Sequence, residues 1–462
     1  MPLMWNVTHF YKASYGQTNS EGITMGQRVK FNSLLKSVYY SDTALTEKDY
    51  IKSRRIIFMA AASASMILAL TSGSFLAGFL TYLGASAQFC AIISVIPQFA
   101  CFIQLISPMI FERLEHRKFL VCISCFIFRL SVSLVVFVPF LVKGTALRLT
   151  AILIIYTAGY LAAGFVTPGL NNWYLSVAPS KGRGRFLSIK DTIAMIVSAA
   201  LTLGVGAMLD STRNDGKPMT GFLIMYILAI ALAFADFIIN SFIKEQKLEV
   251  PQVKVSLRDS ILTPLKDKKY IGVIIFFTVW IFASQFSFSF IPVYLVSELK
   301  LSYSFISTVG VLSSIAAMLA LLIWGRVADA VSWTFLLRCC GLVQACCYLG
   351  WFFVDSSTSG ILVPVLQIIS ACCSSAFGMG TVNLQFQKAP ETGRTAYLGV
   401  CSAISCFAGF LSALLASGVS KLLQGLNFSI FRVSIGNIQI LFLCTSILMF
   451  ICITFILKRV ND

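Results

Sequence analysis

Charge is what this sequence has least of. Only 12% of its 462 residues are Asp, Glu, Lys or Arg, about half the share in a soluble domain. Acids are scarcer than bases, 19 against 36. Histidine occurs twice, as His9 and His116, both in polar segments. A membrane-embedded hydrolase or acyltransferase needs a His, Asp or Ser–Lys constellation at membrane depth. No zinc pair or serine–base pair stands in an apolar run, which argues against an enzyme. No polar pore segment or carbonyl filter stands out, which argues against a channel. The first 55 residues lack the short apolar core of a cleavable signal. Within them GQRVKFNSLLKSVYY, residues 26–40, suits either a short interfacial helix or a loosely ordered tail.

What is abundant is apolar sequence, 57% of the chain. A membrane span needs about 20 mostly apolar residues. Such windows fall at about 56–83, 88–110, 119–141, 149–172, 188–209, 221–243, 270–296, 303–325, 334–354, 360–382, 395–418 and 437–457. The links are short except 244–269, which is charged. The reading is an all-α, multi-pass membrane protein of twelve transmembrane helices. It divides into an N-terminal extension (1–55), a six-helix bundle (56–243), a central loop (244–269) and a second six-helix bundle (270–458).

Charge orients it. Odd-numbered links hold seven basic residues: Lys143, Arg148, Arg213, Lys217, Lys300, Lys421 and Arg432. Arg129 lies inside a span. The even-numbered links, both termini and the adjoining helix ends hold the other 28 of the 36. The positive-inside rule then puts both termini, the extension and the central loop in the cytoplasm. The net charge of +17 is a topology signal that also favours anionic lipid headgroups of the bilayer. Spread over separate loops, it does not form a nucleic-acid surface.

The fourteen cysteines fall mostly within spans, where Cys behaves as a small hydrophobe. Cys339, Cys340, Cys346 and Cys347, with Cys372 and Cys373, offer thiolates of the kind a soft metal such as Cu(I) uses. The plainer reading is small residues easing helix contact. No metal site and no cofactor is expected.

One loop is written twice. APSKGRGRFLSIKDTIA (178–194) and APETGRTAYLGVCSAIS (389–405) align without a gap at an offset of 211. Ala178, Pro179, Gly182, Arg183, Leu187 and Ile193 recur as Ala389, Pro390, Gly393, Arg394, Leu398 and Ile404. Upstream, Gly169 faces Gly380 and Asn172 faces Asn383. The copies lie on one side of the membrane, so the six-helix units are parallel repeats, one of the transporter plans. Pro stops a helix, and Gly allows the turn. Arg183, Arg185 and Arg394 then stand at cytoplasmic helix ends. They suit either static ion pairs or a latch that opens and closes.

A second pair of loops follows spans two and eight: SPMIFERLEHRK (107–118) and WGRVADAVSWTFLLR (324–338). Here the chain resembles the major facilitator superfamily. Its members carry G-x-x-x-D-R/K-x-G-R-R/K between helices two and three, with a weaker copy between eight and nine. Gly325 and Asp329 keep the Gly-to-Asp spacing. Glu112, Arg113, Arg117 and Lys118 stand where the first copy has its acidic and basic members. Ser107 and Glu115 replace its two glycines, and Ala330 replaces a basic residue. The resemblance implies a twelve-helix secondary transporter with two rocking halves. It gives Glu112 and Asp329 gating roles, with Arg113, Arg117, Arg183, Arg185 and Arg394 in a cytoplasmic latch. It implies a transport path between the halves, lined mainly by spans one, four, seven and ten. It implies a small-molecule substrate, a possible coupling ion (H⁺ or Na⁺) and a bacterial cytoplasmic membrane. A monomer is expected.

Those four spans hold no acid away from their ends, which argues against a central carboxylate as proton carrier. Buried-looking charges are Arg129 in span three and Asp236 in span six. Their depths differ by roughly 6 Å at 1.5 Å per residue, so a structural ion pair is the first reading and a substrate anion site for Arg129 the second. Candidate cavity groups are Ser72 beside Thr71 and Ser74, Tyr156 and Tyr160 one turn apart, Gln285, and Gln367 with Ser370. A primary amide cannot satisfy itself locally, so the glutamines are the strongest pointers. The cluster of Phe286 with Phe282, Phe288 and Phe290 reads first as packing; lining a cavity, it would suit a bulky, partly apolar solute. Span five holds glycines in TLGVGAMLD but no proline, which departs from the family's drug/proton antiporters. The competing function is a transporter-like receptor or scaffold that binds solute without moving it.

Overall fold

In the computed structural model, twelve helices are long and apolar enough to cross a membrane. The structure describes residue 39 and residues 45–111, 114–179, 182–245, 257–390, 394–425, 428–430 and 433–456. The spans, numbered one to twelve, are Glu47–Tyr82, Ala87–Leu105, Lys118–Leu141, Thr145–Val177, Arg185–Asn214, Pro218–Ser241, Ile271–Glu298, Tyr303–Val327, Trp333–Phe352, Ser359–Lys388, Ala396–Leu422 and Asn437–Ile456.

Several spans outrun their apolar windows. Span one begins nine residues before the hydropathy boundary, inside the stretch assigned to the extension. A capping box starts it there: the Thr46 hydroxyl accepts from the Asp49 N–H, and the Asp49 carboxylate accepts from the Thr46 N–H. The first turns are helical but amphipathic, so hydropathy alone does not register them. The central loop, read from sequence as irregular, holds a helix at Leu257–Lys266. The link before span twelve adds a small hairpin, with Phe428–Ile430 paired antiparallel to Val433–Ile435. Most of residues 26–40, including the proposed interfacial helix, lie outside the described residues.

Spans one and seven are broken at matching depths. Span one stops at Thr71; Ser72 is extended and Gly73 has φ +60°, a conformation that favours glycine. The helix resumes over Gly73–Tyr82. Span seven runs regularly to Phe288, then continues through Ile291–Val293 into a π-helical turn at Tyr294–Glu298. Ser72 and Phe288 each stand ten residues before the end of their span.

The described residues that flank the repeated loop match in both copies. Span four ends at Val177 and its successor helix starts at Arg183; span ten ends at Lys388 and the next helix starts at Arg394. Both pairs keep the offset of 211. Ala178 and Ala389 both turn extended, and each N–H donates to the carbonyl four residues back, Tyr174 and Gln385, at 3.1 and 2.9 Å. Gly182 takes φ +83°, which lets the chain turn before Arg183. Phe186 meets Phe58 of span one, with ring centroids 5.2 Å apart. Its counterpart Tyr397 meets Tyr270, at the start of span seven, at 4.9 Å.

The halves pack through spans five and eight, spans two and eleven, and the ends of spans one and seven. Phe99 of span two lies 5.0 Å from Phe410 of span eleven, ring to ring. A large apolar core runs through both halves. A smaller one around Trp173, Phe111 and Ile243 fills the end of the N-terminal half that carries the repeated loop.

Candidate functional site

The buried charges of the N-terminal half meet. Arg129 Nη1 pairs with Asp236 Oδ2, and both residues are buried. The other carboxylate bonds are filled as well. Ser63 donates to Asp236 at 2.6 Å and Asn240 donates at 2.8 Å, while Tyr174 donates to Asn240 at 2.7 Å. Five residues on spans one, three, four and six thus close one network. Taking a charge out of water is costly unless every lone pair finds a partner. Here the partners are present.

The N-terminal cavity candidates are engaged elsewhere. Tyr156 is buried; its hydroxyl donates to the Thr71 carbonyl at 3.3 Å, beside the helix break. Tyr160 packs on Tyr156 and Phe128, with centroids 4.8 and 4.9 Å away. Ser72, at the helix break, is half-buried, and its hydroxyl donates back to the Leu68 carbonyl at 2.6 Å, the local bond open to any serine on a helix.

The latch candidates are dispersed. Arg183 and Arg185 are exposed. Arg117 is buried, and its backbone N–H donates to Glu245 Oε1 at 2.7 Å, as the Lys118 N–H does at 3.1 Å. Glu245, just beyond span six, therefore caps the start of span three from within the same half. Burial pushes its carboxyl above the ordinary range, against the opposing pull of those two N–H groups and of His116 and Lys118. Glu112 and Arg113 lie outside the described residues, as do the side chains of Asp329 and Arg394.

A cavity lies within the C-terminal half. It has a volume of about 550 Å³, within the usual range for small-molecule sites. Spans seven and ten supply most of its wall: Trp280, Gln285 and Phe288 from one, Gln367, Ser370, Ser374, Phe377 and Thr381 from the other. Gln285 and Gln367, named from the sequence as amides that need a partner, are both among the lining residues. The other walls come from spans outside the four that the resemblance gives to the path. Ser313 of span eight, Gln344, Tyr348 and Trp351 of span nine and Met449 of span twelve close it. Ser72, Tyr156, Tyr160 and Arg129 do not line it, and neither does Phe286, which is buried in the apolar core.

Its chemistry is aromatic with unmet hydrogen bonds. Trp280 and Phe377 stack with centroids 3.8 Å apart and planes 1° apart. Among the lining residues, Gln285 Oε1, Gln344 Oε1 and Ser313 Oγ are buried without a hydrogen-bond partner. A buried polar atom without a partner costs about 1–3 kcal/mol. Three such atoms in one cavity are polar groups open to a hydrogen-bonding partner. No charged side chain is among the lining residues. Gln344 was not legible in the sequence as a site residue, because span nine is not among the four spans that the resemblance gives to the path.

Contacts between the halves include four hydrogen bonds at the end opposite the repeated loops. Thr81 bonds Ser297 at 3.0 Å and Gln88 donates to Ser420 at 3.2 Å. The Tyr303 and Ser304 N–H groups each donate to Asp210 at 2.8 Å. Nothing in the sequence marks Asp210, since an acid at a span's end is the ordinary place for a solvated charge.

Comparison with known proteins agrees with this architecture. The nucleoside transporter NupG superposes with a TM-score of 0.65 at 12% identity, over 89% of this chain and 99% of its own. A D-xylose–proton symporter gives 0.65 at 14%, over 88% and 98%. A bacterial homologue of the iron transporter ferroportin in an inward-facing state gives 0.67 at 12%, over 90% and 100%. No curated protein sequence matches the chain. The family model of the Major Facilitator Superfamily matches residues 57–413. Twelve spans in two parallel six-helix repeats, with that match across most of their length, place the chain in the Major Facilitator Superfamily of membrane transporters.

Proposed function

We propose that this chain moves a small, bulky and partly apolar organic solute across the cytoplasmic membrane of a bacterium, and that the solute binds in the cavity of the C-terminal half. The fold supports secondary transport by alternating access between two halves. The observation that carries the substrate reading is the set of three unpaired buried atoms beside the Trp280–Phe377 stack. The stack offers an apolar face to a ring. The glutamine amides offer both donors and acceptors to groups on its edge.

The absence of charge in the lining favours an uncharged solute. A nucleoside and D-xylose, named for two of the similar structures, are neutral hydroxyl-bearing ring compounds of this kind. Proton coupling, where it operates, draws on groups outside this cavity, because no carboxylate lines it. The basic loops face the cytoplasm on the positive-inside reading. The four hydrogen bonds between the halves then close the outer side, so this conformation is the inward-facing one.

The test is counterflow in proteoliposomes. Purified protein is loaded with a candidate neutral solute and the entry of labelled solute is followed. Flux that is saturable in wild type and lost in Gln344→Ala supports the proposal. Binding without any flux would point to a receptor or scaffold and contradict it.

A further inference from the structure

Asp210 ends span five and reaches across to the other half. Its Oδ1 accepts from the Tyr303 N–H and its Oδ2 from the Ser304 N–H, both at 2.8 Å. These are the first two residues of span eight. A helix's first N–H groups have no partner within the helix, and its N-terminus favours negative charge. The third N–H, of Phe305, is taken by the Ser302 hydroxyl at 3.2 Å. Span eight therefore borrows two-thirds of this cap from the opposite half.

The same corner is packed to contact. The Tyr303 hydroxyl lies against Gly78 of span one, where a Cβ would overlap it. A Cβ on Gly206 of span five would stand 2.8 Å from Ser307 Oγ and 3.1 Å from the Tyr303 carbonyl. Phe75 of span one and Phe222 of span six close on the Tyr303 ring, at 6.0 and 6.3 Å. Spans one, five, six and eight converge on one residue at the end away from the repeated loops.

We infer that Asp210 is the latch that holds the halves together at this end, and so sets how often the transporter opens on that side. To open there, spans five and eight must part, and the carboxylate must give up both N–H groups. Charge-assisted bonds of this kind are short and roughly twice as strong as neutral ones. Water replaces them in the open state at a smaller gain. Removing the carboxylate removes a term present in one state only, which is how an equilibrium shifts. The shift expected is on the order of tenfold in the ratio of the two states. The inference rests on alternating access but not on the identity or place of the solute.

Hydrogen exchange of the full chain in nanodiscs, without ligand, tests it. Wild type is compared with Asp210→Ala and Asp210→Asn. In Asp210→Ala, amides around Leu76–Gly84 and Leu301–Ser307 exchange faster. Amides around Val177 and Lys388, at the repeated-loop end, exchange more slowly, because that end closes as the other opens. Asp210→Asn keeps one acceptor and shows the same opposed pattern at smaller amplitude, which serves if the alanine variant folds poorly. Unchanged exchange at the Asp210 end would overturn the inference. So would faster exchange at both ends, the mark of a cap that only stabilises the fold. Failure here leaves the solute cavity untouched, and an empty cavity leaves this result untouched.

Discussion

Trp280 and Phe377 lie face to face, with 3.8 Å between ring centroids and 1° between planes. They come from the two spans that meet over the cavity, so the stack is both a helix contact and a binding wall. Aromatic contacts of this kind are worth about 0.5–1.5 kcal/mol beyond the area they bury. Trp280→Ala should weaken solute binding about tenfold. Trp280→Phe should keep most of it. Ligand-induced shifts in Tm, titrated for each variant, measure the difference. Equal affinity in wild type and Trp280→Ala would remove the stack from the site.

The Arg129–Asp236 pair belongs to the scaffold. Arg129→Met leaves a buried carboxylate with only Ser63 and Asn240 as partners. Losing one member of a buried pair costs about 3–5 kcal/mol. The single variant should melt well below wild type, and the double variant Arg129→Met with Asp236→Asn should recover part of the loss. A role for Arg129 in binding the solute would show the reverse: unchanged Tm and lost binding.

Glu245 carries a pH signature. Its carboxyl is raised above the ordinary 4.5 by burial, with His116, Lys118 and the Arg117 and Lys118 N–H groups pulling the other way. A carboxyl whose folded value is raised contributes stability that is whole below 4.5 and is lost as pH rises through the folded value. Glu245→Gln keeps an acceptor for the two N–H groups and cannot ionise. The Tm of Glu245→Gln minus that of wild type should therefore grow with pH from 4.5 upward, then level off. A difference that shrinks with pH would mean the ionised form is the favoured one.

Arg183 is exposed in this conformation, at the start of the helix that follows the repeated turn. A latch role for Arg183 requires the other conformation, in which the repeated-loop ends close. Arg183→Ala should slow counterflow severalfold while leaving Tm nearly unchanged, since exposed substitutions typically move stability within about 0.5 kcal/mol. Glu112→Ala should slow counterflow likewise. Unchanged flux in both would leave these loops as static links.

What the sequence disclosed follows from what is local in it. Apolar windows mark the twelve spans because each window carries its own partition energy. The 211-residue offset survives in the flanking helix ends, Val177 and Arg183 against Lys388 and Arg394, because proline and glycine act on the backbone locally. The helix breaks carry faint signs, Gly73 after Ser72 and Pro292 ahead of the π turn at Tyr294–Glu298, but a hydropathy window averages over single residues. Asp210 and Gln344 were hidden for a different reason. Each acquires its role from a residue on another helix, Tyr303 across the halves and Gln285 across the cavity. That information is in the packing.

The most direct measurement is a thermal-shift screen of the purified chain. It uses neutral ring solutes such as sugars and nucleosides, lipophilic cations, amphipathic anions and amino acids. A ligand that binds the folded state raises its apparent stability with concentration. The account predicts that a neutral, hydroxyl-bearing ring solute raises Tm in wild type, and that Gln285→Ala and Gln344→Ala each abolish the shift. Stabilisation by charged solutes alone, undiminished in both variants, would contradict it.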